Sequence, residues 1–310
     1  MNSDIMDKEI KEMFNKILGP IGQHNIETSL SESDSDRIVR IYDSIHEFFT
    51  LPTYIVDSDK AFHSKIAFLI YHKESCDMIL QSFIQALSGH YNAANTLLRA
   101  AFELYIRGTF YNCLVYEKYR CKLDLKTRKG KYTIRKIIDD GIKENPERYN
   151  IEELSTKILF IIDPLIQEYE CDKRYHLPSF RDIIKNLVEW NLFDPMDKKE
   201  PIDKTVNEIY DIYKVLSKNV HAKYYSTDII RRISTGNDMF ETRVIMEDLA
   251  FYLINLHAII DIGTLIEFNV LKDSISNDLE IKNKLKSRLG TLDNLNLYYT
   301  YKAINEYVKE

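Results

Sequence analysis

The sequence is poor in the two residues that most often interrupt regular structure. It has 9 glycines and 7 prolines in 310 residues, well under half the usual shares of roughly 7% and 5%. It contains no Gly-rich phosphate loop, no nucleophile elbow and no His-Glu-x-x-His motif. Both facts argue against a nucleotide-binding α/β fold or a β-sandwich, and for long helices with few connections. The four cysteines, Cys76, Cys113, Cys121 and Cys171, include no pair at two-residue spacing. That removes the zinc knuckle and the dithiol redox motif. Cys76 and Cys113 lie inside apolar helical patterns and read as buried, reduced thiols, suited to a reducing cytoplasm.

Charge of one sign is also missing. The net charge is −6 and the pI about 5.8, so the whole chain is not drawn to nucleic acid or to a membrane surface. The polar, acidic start of the sequence is not a signal peptide. The most apolar run, 249–271, is interrupted by Asn255, His257, Asp261 and Glu267. Such groups are costly in a bilayer, so a helix buried in protein is expected there. These features together predict a cytoplasmic protein.

What is present is helical periodicity. Hydrophobic residues at 45% and charged residues at 29% are ordinary for a globular chain. A short amphipathic helix is expected over 3–18. A second follows from a cap at Ser33 or Ser35 to about Thr50, with Ile38, Ile41, Tyr42, Ile45 and Phe49 as its face and Leu51-Pro52 as its stop. The third opens at Ser58-Asp59 and carries Phe62, Ile66, Leu69, Ile70, Ile79, Leu80, Phe83, Ile84 and Leu87. A turn at Ser88-Gly89-His90 should send the next helix back antiparallel. Further helices are expected at about 132–143, 151–170, 179–191, 203–222 and 240–271, with a Tyr-rich amphipathic stretch at 297–308. The expected fold is all-α: an antiparallel helical bundle over 58–271, an N-terminal helical extension over 1–57 and a C-terminal helical tail over 272–310.

The helix from about Tyr91 to Lys118 is the most informative. Ala94, Leu97, Ala101, Leu104 and Gly108 give it a face on which small residues admit a close neighbour. Asn92, Asn95, Arg99 and Glu103 form a polar stripe beside Phe102, Ile106 and Phe110. Arg99 and Glu103, four apart, are expected to pair or to line a cleft. In the helix over 203–222, Val206, Ile209, Tyr213, Leu216 and Val220 form the apolar face, with Ser217 and His221 at its flank. Between these helices, residues 118–136 carry nine basic side chains and one acid, Asp124. The basic residues are Lys118, Arg120, Lys122, Lys126, Arg128, Lys129, Lys131, Arg135 and Lys136, interleaved with Tyr119 and Tyr132. Such a run either follows a phosphate backbone, with the rings stacking on bases, or is a solvated loop. His257 and Asp261, four apart, are expected to hydrogen-bond in the core.

Two segments resemble a known family. Gly89-His90-Tyr91-Asn92-Ala93-Ala94-Asn95-Thr96-Leu97-Leu98-Arg99-Ala100-Ala101-Phe102-Glu103 looks like the Gly-x-x-x-Ala-x-x-x-Leu-Arg-x-x-x-Glu helix of helical domains in prokaryotic uncharacterised and abortive-infection proteins. Leu216-Ser217-Lys218-Asn219-Val220-His221-Ala222 resembles the Ser-x-x-x-His helix end of the same group. These domains are similar to the HEPN superfamily, which includes metal-independent endoribonucleases of toxin and defence systems. The resemblance spans about residues 60–270 on short motifs. It departs from the ribonuclease pattern at 215 and 216, which are Val and Leu where an Arg is required.

The resemblance implies an RNA-acting site of Arg99, Glu103 and His221, with the basic run steering substrate, and a homodimer. His221 would move a proton and Arg99 would hold the phosphate. No metal or cofactor is called for, and no membrane. The alternatives are a catalytically inactive interaction or scaffold module and a small-ligand sensor with a cleft beside Arg99.

Overall fold

The computed structural model describes residues 32–56, 65–120, 178–196, 201–220, 238–272 and 279–309. The helices expected at 3–18, 132–143 and 151–170 lie outside these residues, as do Cys121, Cys171 and Tyr132. The described residues form an all-α bundle. Its helices are α1 (Glu32–Ile55), α2 (Ile66–Leu87), α3 (Tyr91–Leu114), α4 (Glu117–Arg120), α5 (Phe180–Glu189), α6 (Ile202–Val220), α7 (Asp238–Leu271), α8 (Leu279–Asn294) and α9 (Tyr298–Tyr307). One hydrophobic core runs through them, and α1, α8 and α9 contribute to it along with the central helices.

Helix ends account for the economy in glycine. Three helices finish in the same pair of hydrogen bonds. At the end of α2, His90 N–H donates to Gln85 C=O and Gly89 N–H to Ala86 C=O. After α5, Leu192 N–H donates to Leu187 C=O and Asn191 N–H to Val188 C=O; after α8, Leu297 N–H donates to Leu292 C=O and Asn296 N–H to Asp293 C=O. This is the Schellman arrangement, which needs a left-handed residue. Gly89 supplies it at φ 76°, Asn191 at 61° and Asn296 at 56°. Asparagine tolerates that conformation better than other L-residues. The Leu187–Leu192 and Leu292–Leu297 pairs that accompany the motif are all buried.

The stop expected at Leu51-Pro52 is not one. α1 continues to Ile55 with Pro52 inside it. Proline lacks the amide that would serve Phe48 C=O, the acceptor four residues back. His72 of α2 takes that place, with Nε2 3.1 Å from Phe48 O. A carbonyl only accepts, so Nε2 carries the proton. Phe48 is 1% exposed, whereas Phe49, expected on the buried face, is 48% exposed.

α2 is rotated relative to its expected face in a similar way. Phe68, His72, Cys76, Ile79, Phe83 and Ala86 are buried, while Ile70 and Leu80 are exposed. The expectation counted only large apolar residues. The burial includes small and polar ones, because α3 lies very close. A Cβ added at Gly108 would sit 2.2 Å from Tyr71 Cβ, the close approach that the small-residue face of α3 foretells. The buried Cys76 and Cys113 are free thiols.

α7 is the central helix. Its segment Glu247–Leu271 is long and apolar enough to cross a membrane by length and composition, but 72% of its most apolar window is buried inside the fold. Its polar residues hold other helices by their ends. Asn269 Nδ2 donates to Leu192 O and Asp194 O in the turn after α5. His257 Nε2 is 2.9 Å from Leu295 O in the turn after α8. Asp261 accepts from the Tyr299 and Thr300 amides and from the Thr300 hydroxyl. Leu297, at the cap position of α9, has no side chain to serve those amides, so Asp261 caps α9 from outside it. The expected His257–Asp261 hydrogen bond is therefore not made, since each side chain is used by a different backbone end.

Candidate functional site

The polar stripe of α3 faces α6. Arg99 Nη2 donates to the Tyr213 hydroxyl at 2.8 Å, and its guanidinium carbon lies 5.0 Å from the Tyr213 ring centroid. Tyr213 in turn donates to Glu103 Oε2 at 3.3 Å. Arg99 Nη2 is 3.6 Å from the same oxygen, an ion-pair contact beyond good hydrogen-bond length. The close partner of Glu103 is Arg107, whose Nε and Nη2 donate to Oε1 at 3.0 and 2.8 Å.

The expected Arg99–Glu103 pair thus exists, but Glu103 engages Arg107 more tightly. Helix geometry gives the reason. A carboxylate placed four residues N-terminal to a cation is better oriented than the reverse. Arg107 was legible from that rule alone and was not singled out. Tyr213 was read only as part of an apolar face; its hydroxyl is what ties α6 to α3.

The three charged side chains are partly open, with Arg99, Glu103 and Arg107 at 26%, 25% and 27% exposure. Two guanidiniums face one carboxylate, so the cluster keeps a positive excess. It also keeps unused hydrogen-bonding groups. Among the described residues Arg99 Nε and Asn95 Oδ1 are buried without a hydrogen-bond partner. Asn95 lies one helical turn before Arg99, so the two flank the same stretch of α3. The aromatic wall beside Arg99 is formed by Tyr213, Phe180 and Tyr210, with Phe180 and Tyr213 ring centroids 4.3 Å apart.

α6, which carries Tyr213, ends at Val220. His221 is the next residue in the chain and lies outside the described residues. Of the basic run, Lys122, Lys126, Arg128, Lys129, Lys131, Arg135 and Lys136 also lie outside them, as does the side chain of Arg120. Lys118 is exposed, with Nζ 4.8 Å from the Tyr119 ring centroid. Tyr119, expected as a platform for bases, packs on Trp190 at 5.1 Å and edge-on against Tyr116. Its ring is engaged within the fold.

A second polar cluster is sealed in the core. His72 Nε2 is 3.0 Å from Glu267 Oε1, off the line of its bond to Phe48 O, and neither Glu267 oxygen receives a well-directed hydrogen bond. Burial pushes the Glu267 carboxyl up to about 7; His72 opposes that shift and Glu47 adds to it. Glu47 is itself buried and pairs with Arg288 of α8. Among the described residues no three His, Cys, Asp or Glu side chains converge so as to hold a metal ion.

Comparison of the chain with protein families, with curated proteins and with solved structures finds no match.

Proposed function

We propose that the Arg99–Glu103–Arg107 cluster beside α6 binds phosphodiester groups of RNA, and that the chain is a HEPN-like RNA-acting protein of the defence or toxin type. The observation that supports this reading is the positive excess of the Arg99–Glu103–Arg107 cluster, left partly open and with the Arg99 Nε donor unsatisfied. A guanidinium held by Tyr213 and carrying spare donors is suited to a phosphate oxygen. In the proposed reaction His221 takes the proton of the RNA 2′-hydroxyl. The 2′-oxygen then attacks the adjacent phosphorus and the bond to the 5′-oxygen breaks. A 2′,3′-cyclic phosphate forms, and the 5′-oxygen leaves with a proton from solvent. Arg99 offsets the charge that builds on the non-bridging oxygens. Glu103, held by Arg107, positions Arg99 through Tyr213.

A second reading has its own support. Tyr213 bridges Arg99 and Glu103, and such a bridge also serves as a plain clamp between two helices of an inactive interaction or sensor module. Incubating the full chain with mixed RNA in EDTA separates the two, beside the variants His221→Ala and Arg99→Ala. Cleavage lost in both variants is the expected result. Cleavage-free binding of a short RNA, weakened about tenfold by Arg99→Ala, keeps the anion site and removes the catalysis. Neither cleavage nor salt-dependent binding leaves the clamp reading.

A further inference from the structure

A cavity of about 330 Å³ lies between α6, α7 and the turn that joins α8 to α9. By volume it has room for about ten waters, which puts it at the small end of ligand pockets. Its wall is apolar: Met196, Ile209, Ile212, Ala258 and Ile262. Its polar side chains are Glu208, His257, Asp261, Asn296 and Tyr299, and the charged ones are carboxylates. Glu208 lies at the exposed side and makes no ion pair among the described residues. His257 donates from Nε2 to Leu295 O, so in the neutral ring Nδ1 is an acceptor. Asp261 is engaged by the amides of α9 but keeps a carboxylate at the wall. Among the described residues no lysine or arginine lines the cavity. The field of both carboxylates meets at Tyr299, whose phenol is pushed up by burial first and then by Asp261 and Glu208.

We propose that this cavity binds a small organic cation, an amine with an apolar body of about ten heavy atoms, with its ammonium on Glu208 and its body against Ile209, Ile212 and Ala258. An anion would meet two carboxylates and, among the described lining residues, no counter-charge. A bare metal ion finds no set of three ligands among the described residues. An ammonium gains a charge-assisted hydrogen bond at Glu208. The site does not depend on the RNA reading and stands or falls separately.

Three probes of one shape test it on the full chain at low salt: 3-phenylpropylammonium, 3-phenylpropanol and 3-phenylpropionate, followed by calorimetry and ligand-detected NMR. The ammonium should bind about tenfold more tightly than the alcohol, and the carboxylate should not bind. Glu208→Gln, at an exposed position, should bring the ammonium down to the level of the alcohol. Ala258→Leu, which fills the cavity, should abolish binding of both; its melting temperature reports whether the fold is kept. Equal binding of all three probes, a preference that survives Glu208→Gln, or no binding of the ammonium at about 1 mM overturns the proposal.

Discussion

The Glu103 cluster and the Glu267 cluster are made of the same kinds of group and differ in their access to water. Glu103 is 25% exposed, shares its charge with two arginines and accepts well-directed hydrogen bonds from Arg107. Glu267 is fully buried, has one histidine beside it and accepts no well-directed bond. A carboxylate in the first setting stays charged at little cost, and its partners hold it in place. In the second, burial favours the protonated acid, and the energy of the cluster depends on pH. The open cluster keeps its charges at the surface of the fold, within reach of solvent. The sealed one is an internal joint between α1, α2 and α7, set around the carbonyl that Pro52 leaves unserved.

The largest effect should come from the wall of the sealed cluster. Phe48 packs on His72 and Tyr105 with ring centroids 4.8 and 5.3 Å away, and Gly263 leaves room for its edge. Phe48→Ala should cost about 3–5 kcal/mol in urea unfolding. A loss below about 1 kcal/mol would mean that the core closes around the gap.

The next effect is that of pH. Glu267 is raised from 4.5 to about 7, so it binds its proton more tightly in the folded chain. His72 is also raised above its ordinary value: burial pulls it down, but Glu267 and Cys76 outweigh that pull. For both groups the stabilisation is complete at low pH and is lost as pH rises, for Glu267 from 4.5 through about 7. Unfolding free energy should therefore fall by about 1 kcal/mol per pH unit between about pH 5 and 7. Glu267→Gln should flatten that slope. A slope that persists in the variant would assign it to other groups.

In the open cluster the effects are smaller. Tyr213→Phe removes the hydroxyl that bridges Arg99 and Glu103. It should cost about 1 kcal/mol of stability, with no change in the pH slope, while weakening any anion binding at Arg99. A pH slope altered by this variant would join the two clusters that the structure keeps apart. The smallest change is expected at a helix end. Asn296→Gly keeps the left-handed turn after α8, and thermal melts should move by no more than about 0.5 kcal/mol. Asn296→Val, strained at that φ, should cost about 1–2 kcal/mol.

Much of the fold was legible because helical period and capping are local. The Ser179–Asp182 capping box marks the start of α5, and α7 and α9 lie within a residue or two of their expected spans. The misplaced faces have a common cause. Phe48 and Phe49 are equally apolar, and only the packing against His72 and Tyr105 decides that Phe48 turns inward. Ile70 and Leu80 were favoured over His72, Ser75 and Ser82 because hydrophobicity was counted without the neighbour that buries the small and polar side. In the candidate site, Arg99 and Glu103 were legible as a spacing on one helix. Tyr213 was not, because its hydroxyl acts across 114 residues of sequence.

By itself, the sequence determines the secondary structure class of this protein, the spans of helices such as α5, α7 and α9, and the small-residue seam at Gly108. All of these follow from interactions within a few residues. Tertiary structure alone decides that His72 replaces the hydrogen bond Pro52 removes, that Asp261 caps a helix on which it does not lie, and that the Tyr213 hydroxyl bridges Arg99 and Glu103. Each of these choices pairs polar groups that lie far apart along the chain, and which of them meet is decided only by the packed fold.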